Sequence, residues 1–353
     1  MATAKKIRVA INGFGRIGRI TFRALVEHYG KEIEIVAIND LAPVGTNAHL
    51  LRHDTNYRGF SRKVTVVEDG VKIRTKTYPA LEVEGVKKPI AIVSEREPGK
   101  LPWRSMRVDV VLECTGFFTD SDSAAAHIAA GAKKVIISAP AKGDVQTIVL
   151  GVNDGDLDVN NDIFSNASCT TNCLAPIAQA IDKLWGIDHG LMTTVHAYTN
   201  DQRIQDQVHS DMRRARAGAA NIIPTSTGAA RAIGLVLPHL KGKLDGISLR
   251  VPVTTVSVVD LVVEVKKDLP SVDEVKKAIT DAADGKYLGI SGESPVSSDF
   301  IGDNRSSIVD IEFTAVQAPR TLKVLAWYDN EWGYSMRLAE LTALIGSKLV
   351  EQA

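Results

Sequence analysis

The pattern of apolar and polar positions separates the chain into two regions near residue 168. In the first region, stretches of helical period alternate with short apolar runs at residues 7–11, 33–38, 108–113 and 134–138. Unbroken apolar runs are typical of strands buried on both faces of a parallel sheet. Their alternation with helices predicts a doubly wound α/β domain. Within this region, the pair Asp69-Gly70 predicts the turn of a β-hairpin that covers residues 64–76.

The second region is richer in valine and threonine, and its strand patterns are longer. These patterns cover residues 191–198, 246–265 and 322–328. Their alternation of apolar with polar residues predicts an α+β domain with a mostly antiparallel sheet, one face of which is covered. The sequence therefore predicts one domain at residues 1–168 and another at 169–332. A last helical pattern at residues 333–353 is expected to pack back on the first domain.

Residues 12–19 (NGFGRIGR) form a glycine-rich turn between the first predicted strand and the first helix. Gly13 permits a tight turn, Gly15 permits close approach of a pyrophosphate, and Gly18 lets the helix pack on the strand. Asp40 stands about 20 residues further on, at the end of the second strand, where a carboxylate can hold ribose hydroxyls. Together these features predict that the first domain is a dinucleotide-binding Rossmann domain.

A small, uncharged and hydroxyl-rich segment at residues 165–173 (SNASCTTNC) precedes an apolar helical pattern. Cys169 is therefore predicted to stand at the start of a helix that a neighbouring hydroxyl group caps. A helix N-terminus lowers the pKa of a thiol and so favours the nucleophilic thiolate. His196 lies near the tip of a predicted strand and is a candidate base. A single cysteine is also commonly a small buried hydrophobic residue, and the segment alone leaves that alternative open.

Length and composition limit the classes of function. A chain of 353 residues is too long for one typical core, so two domains are expected. The chain has 42 Lys plus Arg and 42 Asp plus Glu residues, and this balance argues against nucleic acid or an anionic membrane as the main partner. Its three cysteines are too few for a disulfide framework, so a reducing, cytoplasmic location is expected. No apolar run is long enough to cross a membrane.

Six motifs, taken in order, resemble those of phosphorylating glyceraldehyde-3-phosphate dehydrogenases over nearly the whole chain. Two of them are the glycine-rich turn and the cysteine segment. The other four stand at residues 196–201 (HAYTND), 224–230 (PTSTGAA), 249–252 (LRVP) and 327–334 (WYDNEWGY). Their joint occurrence is specific to this family.

The resemblance implies a role for each matching residue. Cys169 would be the nucleophile and His196 its base, and no metal is implied. The residues implied for the phosphate of the substrate and for inorganic phosphate are Ser168, Thr170, Thr199, Asp201, Arg214, Thr227, Gly228 and Arg250. The residues implied for the cofactor NAD are Phe14, Gly15, Arg16, Ile17, Asp40, Arg96, Thr115, Ser138 and Asn330.

The reaction implied by the resemblance is the oxidative phosphorylation of D-glyceraldehyde 3-phosphate to 1,3-bisphosphoglycerate, a step of glycolysis and gluconeogenesis. Hydride would pass to NAD from a thiohemiacetal on Cys169, and inorganic phosphate would then cleave the resulting thioester. Members of the family are homotetramers, so a homotetramer is implied as well.

Three alternatives stay open from the sequence. Erythrose-4-phosphate dehydrogenases share the fold and the cysteine chemistry, although residues 196–201 and 225–228 follow the glyceraldehyde-phosphate pattern. An NAD-binding redox sensor could use a reactive cysteine without turnover, and an RNA-binding side role could use the dinucleotide cleft. Gln207 and Val208 depart from the residues usual in NAD-dependent relatives, so the predicted preference for NAD over NADP rests on Asp40.

Overall fold

The computed structural model describes residues 6–351, which divide into two compact units. The first unit contains the described residues up to Ile148, together with Asp156–Ala167 and the residues from Ser335 onward. The second unit contains Val149–Gly155 and Ser168–Tyr334. Each unit is built around one sheet, and the predicted α/β class is confirmed.

The first unit has a nine-stranded sheet. Its strands are β1 (Ile7–Asn12), β2 (Ile33–Asn39), β3 (Val64–Ile73), β4 (Lys76–Val83), β5 (Ile90–Val93), β6 (Val110–Glu113), β7 (Lys134–Ile137), β8 (Gln146–Thr147) and β9 (Ile163–Ser165). Its helices up to this point in the chain are α1 (Arg16–His28), α2 (Val44–Arg52), α3 (Trp103–Met106) and α4 (Ser121–Ala129). The strand order is β3-β4-β5-β2-β1-β6-β7-β9-β8, and every neighbouring pair is parallel except β3 with β4 and β4 with β5.

Three parallel strands end side by side in the middle of this sheet. β1 lies between β2 and β6, and β6 is buried along its whole length, as an unbroken apolar run predicts. Gly13, Asp40 and Cys114 directly follow β1, β2 and β6. Doubly wound sheets bind ligands at this carboxyl edge, where the order of the strands reverses. The fold thus brings the glycine-rich turn and Asp40 to the same edge.

The hairpin predicted around Asp69-Gly70 exists, but its turn lies elsewhere. β3 continues through this pair to Ile73, and the chain reverses at Arg74, whose φ is 54°. The pairing of β3 with β4 shifts its register around Gly70. A Cβ on Gly70 would stand 2.4 Å from the Cβ of Ala80. The glycine therefore permits a close approach of two strands and does not form the turn.

The second unit has a seven-stranded sheet. Its strands are β10 (Ile187–Ala197), β11 (Ile223–Ser226), β12 (Leu244–Val251), β13 (Ser257–Val265), β14 (Leu288–Ser291), β15 (Ser307–Gln317) and β16 (Thr321–Tyr328). Its helices are α5 (Cys169–Trp185), α6 (Ala229–Val236) and α7 (Val272–Ala282). The strand order is β11-β12-β10-β13-β16-β15-β14, and only β10 with β12 and β14 with β15 are parallel, so the predicted mostly antiparallel sheet is confirmed. Short 3-10 helices in the two units are Pro98–Lys100, Asp154–Asp156, Pro238–Leu240 and Ser297–Phe300.

The last helix, α8 (Trp332–Glu351), begins at a buried carboxylate. One oxygen of Asp329 accepts the N–H groups of Glu331 and Trp332 at 3.0 and 2.9 Å, and also the hydroxyl of Thr255 at 3.0 Å. Part of the motif at residues 327–334 is therefore a helix cap. No helix within residues 6–351 is long and apolar enough to cross a membrane.

Candidate active site

Cys169 is the first residue of α5, as the sequence predicts. The Ser168 hydroxyl caps the helix by accepting the Thr171 N–H at 3.0 Å. The Asn172 amide donates to the Ser168 carbonyl at 3.0 Å and closes the first turn. The cap fixes where the helix starts, so the half-buried Cys169 stands at the N-terminus, where unpaired N–H groups can hold negative charge.

His196 ends β10 and faces this thiol. Its Nε2 lies 3.5 Å from the Cys169 Sγ, and the residue is 3% exposed. Its Nδ1 lies only 2.6 Å from the Ala197 carbonyl oxygen. Two lone pairs would meet at that distance unless Nδ1 carried the ring proton. The Nε2 that faces the thiol is therefore unprotonated and can accept the thiol proton.

Burial dominates the electrostatics of this pair. It raises the pKa of the Cys169 thiol, although the Arg250 guanidinium and hydrogen bonds with Thr170 act in the opposite direction. Burial, together with the nearby Arg250 guanidinium, lowers the pKa of His196 to about 3, although the hydrogen bond to the Ala197 carbonyl acts in the opposite direction. The lowered thiol pKa predicted from the helix start alone is wrong, because desolvation outweighs the helix terminus here. Both shifts favour an uncharged thiol and imidazole, so the proton leaves Sγ as the thiol attacks.

Arg250 lies beside His196 because β12 pairs with β10 in parallel register. Its Nη1 is 3.3 Å from the Ala197 carbonyl oxygen and 3.4 Å from the Thr199 hydroxyl. The same nitrogen is 3.0 Å from His196 Nδ1, whose proton already points to Ala197. Within residues 6–351, the buried Nε of Arg250 has no hydrogen-bond partner. The guanidinium thus brings a positive charge close to the Cys169 thiol.

A second arginine lies in the loop that follows β10. Arg214 donates to the carboxylate of Asp201, and it donates to the Thr225 hydroxyl at 2.6 Å. Burial raises the pKa of Asp201, but Arg214 and His209 outweigh it, and the net pKa is lowered. Asp201 therefore holds Arg214 in place beside Thr225.

The glycine-rich turn of the first unit fits the approach of a pyrophosphate. Gly13 has a φ of 91°, and a Cβ there would stand 2.7 Å from the Thr115 nitrogen. A Cβ on Gly18 would stand 2.1 Å from the Gly13 carbonyl oxygen. A Cβ on Gly15 would meet nothing within 4 Å. Two glycines are therefore required by packing, and the third leaves the N-terminus of α1 open to an anion.

Models of the two domains of one family match most of this chain. The glyceraldehyde 3-phosphate dehydrogenase NAD-binding domain matches residues 7–121, and the C-terminal domain of the same family matches residues 168–330. The chain belongs to the glyceraldehyde-3-phosphate dehydrogenase family. Among its relatives are glyceraldehyde-3-phosphate dehydrogenase 2 of Streptomyces avermitilis (53% identical over 97% of this chain and 99% of the relative) and glyceraldehyde-3-phosphate dehydrogenase of Streptomyces coelicolor (53%, 97% and 99%). A glyceraldehyde-3-phosphate dehydrogenase of Cereibacter sphaeroides is 50% identical over the same shares.

The residues expected to hold NAD in this glyceraldehyde-3-phosphate dehydrogenase family member have identifiable partners. Asp40 accepts the N–H groups of Phe14 and Ala42, each at 2.8 Å, so its carboxylate also holds the glycine-rich turn. The Arg16 side chain pairs with Asp54 at 2.7 Å. Thr115 donates to the Glu113 carboxylate, and the Ser138 N–H donates to the Glu113 backbone carbonyl. The Asn330 side chain accepts from the Ser257 hydroxyl at 3.0 Å. Arg96 is exposed. Ile17 follows Arg16 in the first turn of α1.

The residues expected to hold phosphate in this dehydrogenase fall into three places of the second unit. Ser168 and Thr170 flank Cys169 at the start of α5. Thr199 lies within reach of Arg250, and Asp201 lies with Arg214. Thr227 and Gly228 precede α6, where the Thr227 hydroxyl accepts the Ala229 N–H at 3.2 Å.

Tyr328 belongs to this site, although sequence reasoning gave it no role. Its hydroxyl lies 2.9 Å from that of Thr170 and 2.8 Å from that of Thr194. Its ring meets the His196 ring nearly edge-on, with centroids 6.0 Å apart. Burial raises the pKa of Tyr328 well above its usual value, so it stays a phenol that fixes both neighbours. The sequence places Tyr328 in the motif at residues 327–334, but the direction in which its side chain points depends on the register of β16.

No group of three or more His, Cys, Asp or Glu side chains in the described part of this dehydrogenase is arranged to hold a metal ion. Cys173, the other cysteine of α5, is fully buried, with its Sγ 3.7 Å from the Ser307 hydroxyl and the Ala326 carbonyl oxygen. It packs inward, away from a reactive position.

Proposed function

We propose that the chain oxidises D-glyceraldehyde 3-phosphate with NAD and inorganic phosphate, giving 1,3-bisphosphoglycerate. The observation that carries the proposal is the Cys169 thiol at a helix start with an unprotonated His196 Nε2 3.5 Å away. Membership of the glyceraldehyde-3-phosphate dehydrogenase family supports the same reaction. NAD supplies the hydride acceptor when it is bound.

The first step joins the thiol to the aldehyde. Sγ of Cys169 attacks the carbonyl carbon while the thiol proton moves to His196 Nε2. The new oxyanion can be held by the N–H groups at the start of α5. The imidazolium then returns the proton to that oxygen, and a neutral thiohemiacetal stands on Cys169.

Oxidation and phosphate release follow on the same sulfur. The hydroxyl proton of the thiohemiacetal moves to His196 Nε2 as the carbon gives up hydride, and a thioester remains on Cys169. A phosphate oxygen attacks the thioester carbon, the carbon–sulfur bond breaks, and the departing thiolate takes a proton from the imidazolium. The acyl phosphate leaves, and the thiol and the neutral imidazole are restored.

Two anions must be held during this sequence. Arg250 and Thr199 suit the phosphate of the substrate, because the guanidinium places a positive charge beside the Thr199 hydroxyl. Arg214, fixed by Asp201, is assigned to the same group of phosphate contacts. The remaining assignments for inorganic phosphate are Ser168, Thr170, Thr227 and Gly228.

We assign residues 1–168 and 333–353 to the dinucleotide-binding domain, and residues 169–332 to the catalytic domain. Two observations support a dinucleotide site in the first domain. The space beside Gly15 is open, and the Asp40 carboxylate accepts the Phe14 N–H of the glycine-rich turn. A carboxylate beside the adenosine ribose favours NAD, because NADP adds a phosphate of about −1.5 to −2 charge there.

We propose a cytoplasmic homotetramer. In support of self-association, one face of the second sheet exposes apolar side chains. Leu191 and Val262 pair across β10 and β13 and are 68% and 38% exposed, and Ile247 is 50% exposed. Monomeric proteins rarely expose a contiguous apolar patch of large size. Light scattering of the purified protein tests the number of subunits, and a monomer at micromolar concentration would contradict the proposal.

The direct test of the reaction is NADH formation by the purified chain. Turnover should need both glyceraldehyde 3-phosphate and inorganic phosphate, and erythrose 4-phosphate should be a much poorer substrate. Equal or better use of erythrose 4-phosphate would favour the paralogous enzyme. NAD binding without turnover would favour a redox sensor.

A further inference from the structure

A buried hydrogen-bond network lies directly behind the carboxyl edge of the first sheet. We refer to it as the Glu113 network, and its members are Asn12, Asn39, Trp103, Glu113, Thr115, His127 and the peptide group of Glu95. Asn12, Trp103, Glu113 and His127 are at most 1% exposed. Of the network's members, only Thr115 has a role assigned above, as a residue expected to hold NAD.

Four donors converge on the Glu113 carboxylate. Its Oε2 accepts from the Asn12 amide at 2.5 Å and from the His127 ring at 3.0 Å. Its Oε1 accepts the Thr115 N–H at 2.8 Å and also the Thr115 hydroxyl. A carboxylate has two acceptor oxygens and no proton of its own, so it can accept all four.

One end of the Glu113 network is fixed by an indole. The Trp103 N–H, which can only donate, reaches Nδ1 of His127 at 3.0 Å. The ring proton of His127 is therefore on Nε2 and points to Glu113. His127 cannot reverse this direction while Trp103 donates to it.

The other end is fixed by a peptide group. The Asn39 amide donates to the Glu95 carbonyl at 2.8 Å and accepts the Glu95 N–H at 2.9 Å, so its orientation is set. The Asn39 amide also donates to the side-chain Oδ1 of Asn12 at 2.7 Å, which leaves the side-chain amide N–H of Asn12 for Glu113. Turning an amide or moving a ring proton therefore cannot adapt this network to a different group at position 113.

Four of the chain segments joined by the Glu113 network also carry a residue proposed to bind the cofactor. The pairs are Asn12 and Phe14, Asn39 and Asp40, Glu95 and Arg96, and Glu113 and Thr115. The network consequently sets the relative positions of the ends of β1, β2 and β6 and of the loop after β5. A small shift of these backbone groups would spoil several cofactor contacts together.

We propose that Glu113 and His127 are positioning residues of the NAD site. They act through Thr115 and Asn12, and thus through the glycine-rich turn, without contact with the cofactor. The inference rests on the proposed function of the first unit as the NAD-binding domain.

The test compares two carboxylates at opposite ends of β6, Glu113 as its last residue and Asp109 just before its first. Glu113→Gln keeps the shape but places an N–H against at least one of the four donors. Asp109→Asn makes the same chemical change at the amino end of β6, where Asp109 accepts the Arg8 N–H at 2.9 Å and pairs with Lys133 at 2.8 Å. The affinity for NAD is measured by titration calorimetry, with thermal unfolding of the NAD-free protein recorded alongside.

Glu113→Gln is expected to raise the Kd for NAD by about tenfold or more, since each tenfold change corresponds to about 1.4 kcal/mol. The iodoacetamide alkylation rate of Cys169 should stay unchanged. Asp109→Asn should lower the melting temperature but leave the Kd for NAD within about twofold. Equal changes of Kd in the two variants, or no change in Glu113→Gln, would overturn the proposal.

Asn39→Ala gives a second test if Glu113→Gln fails to fold. It removes the contact that orients Asn12, so it should also weaken NAD binding, by about fivefold, in a folded protein. An unchanged Kd would overturn the proposal. If wild-type protein does not bind NAD, the proposed function fails instead. Normal wild-type binding with unaltered variants defeats only the positioning role.

Discussion

Two buried histidines, one in each unit, have opposite hydrogen-bond polarity. In the second unit, the Nδ1–H of His196 donates to a backbone carbonyl, and the unprotonated Nε2 faces the Cys169 thiol. In the first unit, the Trp103 indole donates to Nδ1 of His127, and the Nε2 proton points to Glu113. A neighbour with a fixed role, an acceptor in one case and a donor in the other, decides which nitrogen carries the proton.

Burial therefore does not by itself identify a catalytic histidine. His196 and His127 are 3% and 0% exposed. What separates them is the group opposite Nε2. A thiol can donate its proton to an unprotonated ring nitrogen. A carboxylate has no proton to donate, so it only accepts a hydrogen bond from the ring N–H. The first arrangement suits proton transfer, and the second suits holding backbone in place.

The largest expected effect comes from removing the thiol. Cys169→Ser should lower turnover to less than about one-thousandth of wild type, because a hydroxyl is a poor nucleophile at neutral pH. Its Kd for NAD should stay within about twofold. Cys173→Ser is the control, since Cys173 packs inward, and it should keep most of the activity. Steady-state NADH formation measures both variants, and an active Cys169→Ser would remove the nucleophile from the mechanism.

The two histidines can be contrasted by the same substitution. His196→Asn should lower kcat by about a hundredfold, the usual effect of a positioned general base. It should also slow alkylation of Cys169. His127→Asn should leave the alkylation rate near wild type and raise the Kd for NAD. If both variants lose kcat equally with NAD binding intact, the contrast between the two sites is wrong.

Sequence patterns predicted the parts of the molecule that depend on neighbours along the chain. Gly13 and Gly18 have the packing roles expected of them, and Cys169 begins its helix behind the Ser168 cap. The turn predicted at Asp69-Gly70 was misplaced, because Gly70 instead allows β3 to approach the neighbouring strand β4 closely.

The parts that depend on tertiary packing were not predictable. The rise in the pKa of Cys169 comes from burial, which the helix start does not reveal. Tyr328 lies between two threonines because β16, α5 and β10 meet there. The Glu113 network joins residues from six separate segments, which are the ends of β1, β2 and β6, the loop after β5 and the helices α3 and α4, so no local pattern marks it.

An effect of intermediate size on the kinetics is expected from substituting Arg250, which lies beside His196. Arg250→Ala should raise the KM values for glyceraldehyde 3-phosphate and for phosphate, each by about thirtyfold, since a charged hydrogen bond contributes roughly 1.5–3 kcal/mol. Arg250→Lys should recover part of the loss because it keeps the charge without the planar fork. A change in only one of the two KM values would assign Arg250 to a single anion.

The smallest expected effect concerns the preference for NAD over NADP, which depends on Asp40 in the first unit. Wild type should prefer NAD over NADP in kcat/KM by at least about tenfold, because Asp40 repels the added phosphate. Asp40→Asn should reduce that preference by about tenfold while the alkylation rate of Cys169 stays constant. Kinetics with both cofactors at saturating substrate and phosphate decide it. A wild type that uses NADP equally well would mean that Asp40 acts only on the glycine-rich turn.

The most direct test of the Cys169 and His196 chemistry is a single-turnover experiment without phosphate. Protein, NAD and glyceraldehyde 3-phosphate are mixed, and NADH is followed together with the intact mass of the protein. We expect a burst of about one NADH per Cys169, followed by a sharp slowing, with an acyl group on Cys169 by mass. Added phosphate should release that group and restore turnover. Sustained NADH formation without phosphate, or a burst that leaves Cys169 unmodified, would contradict the thioester mechanism.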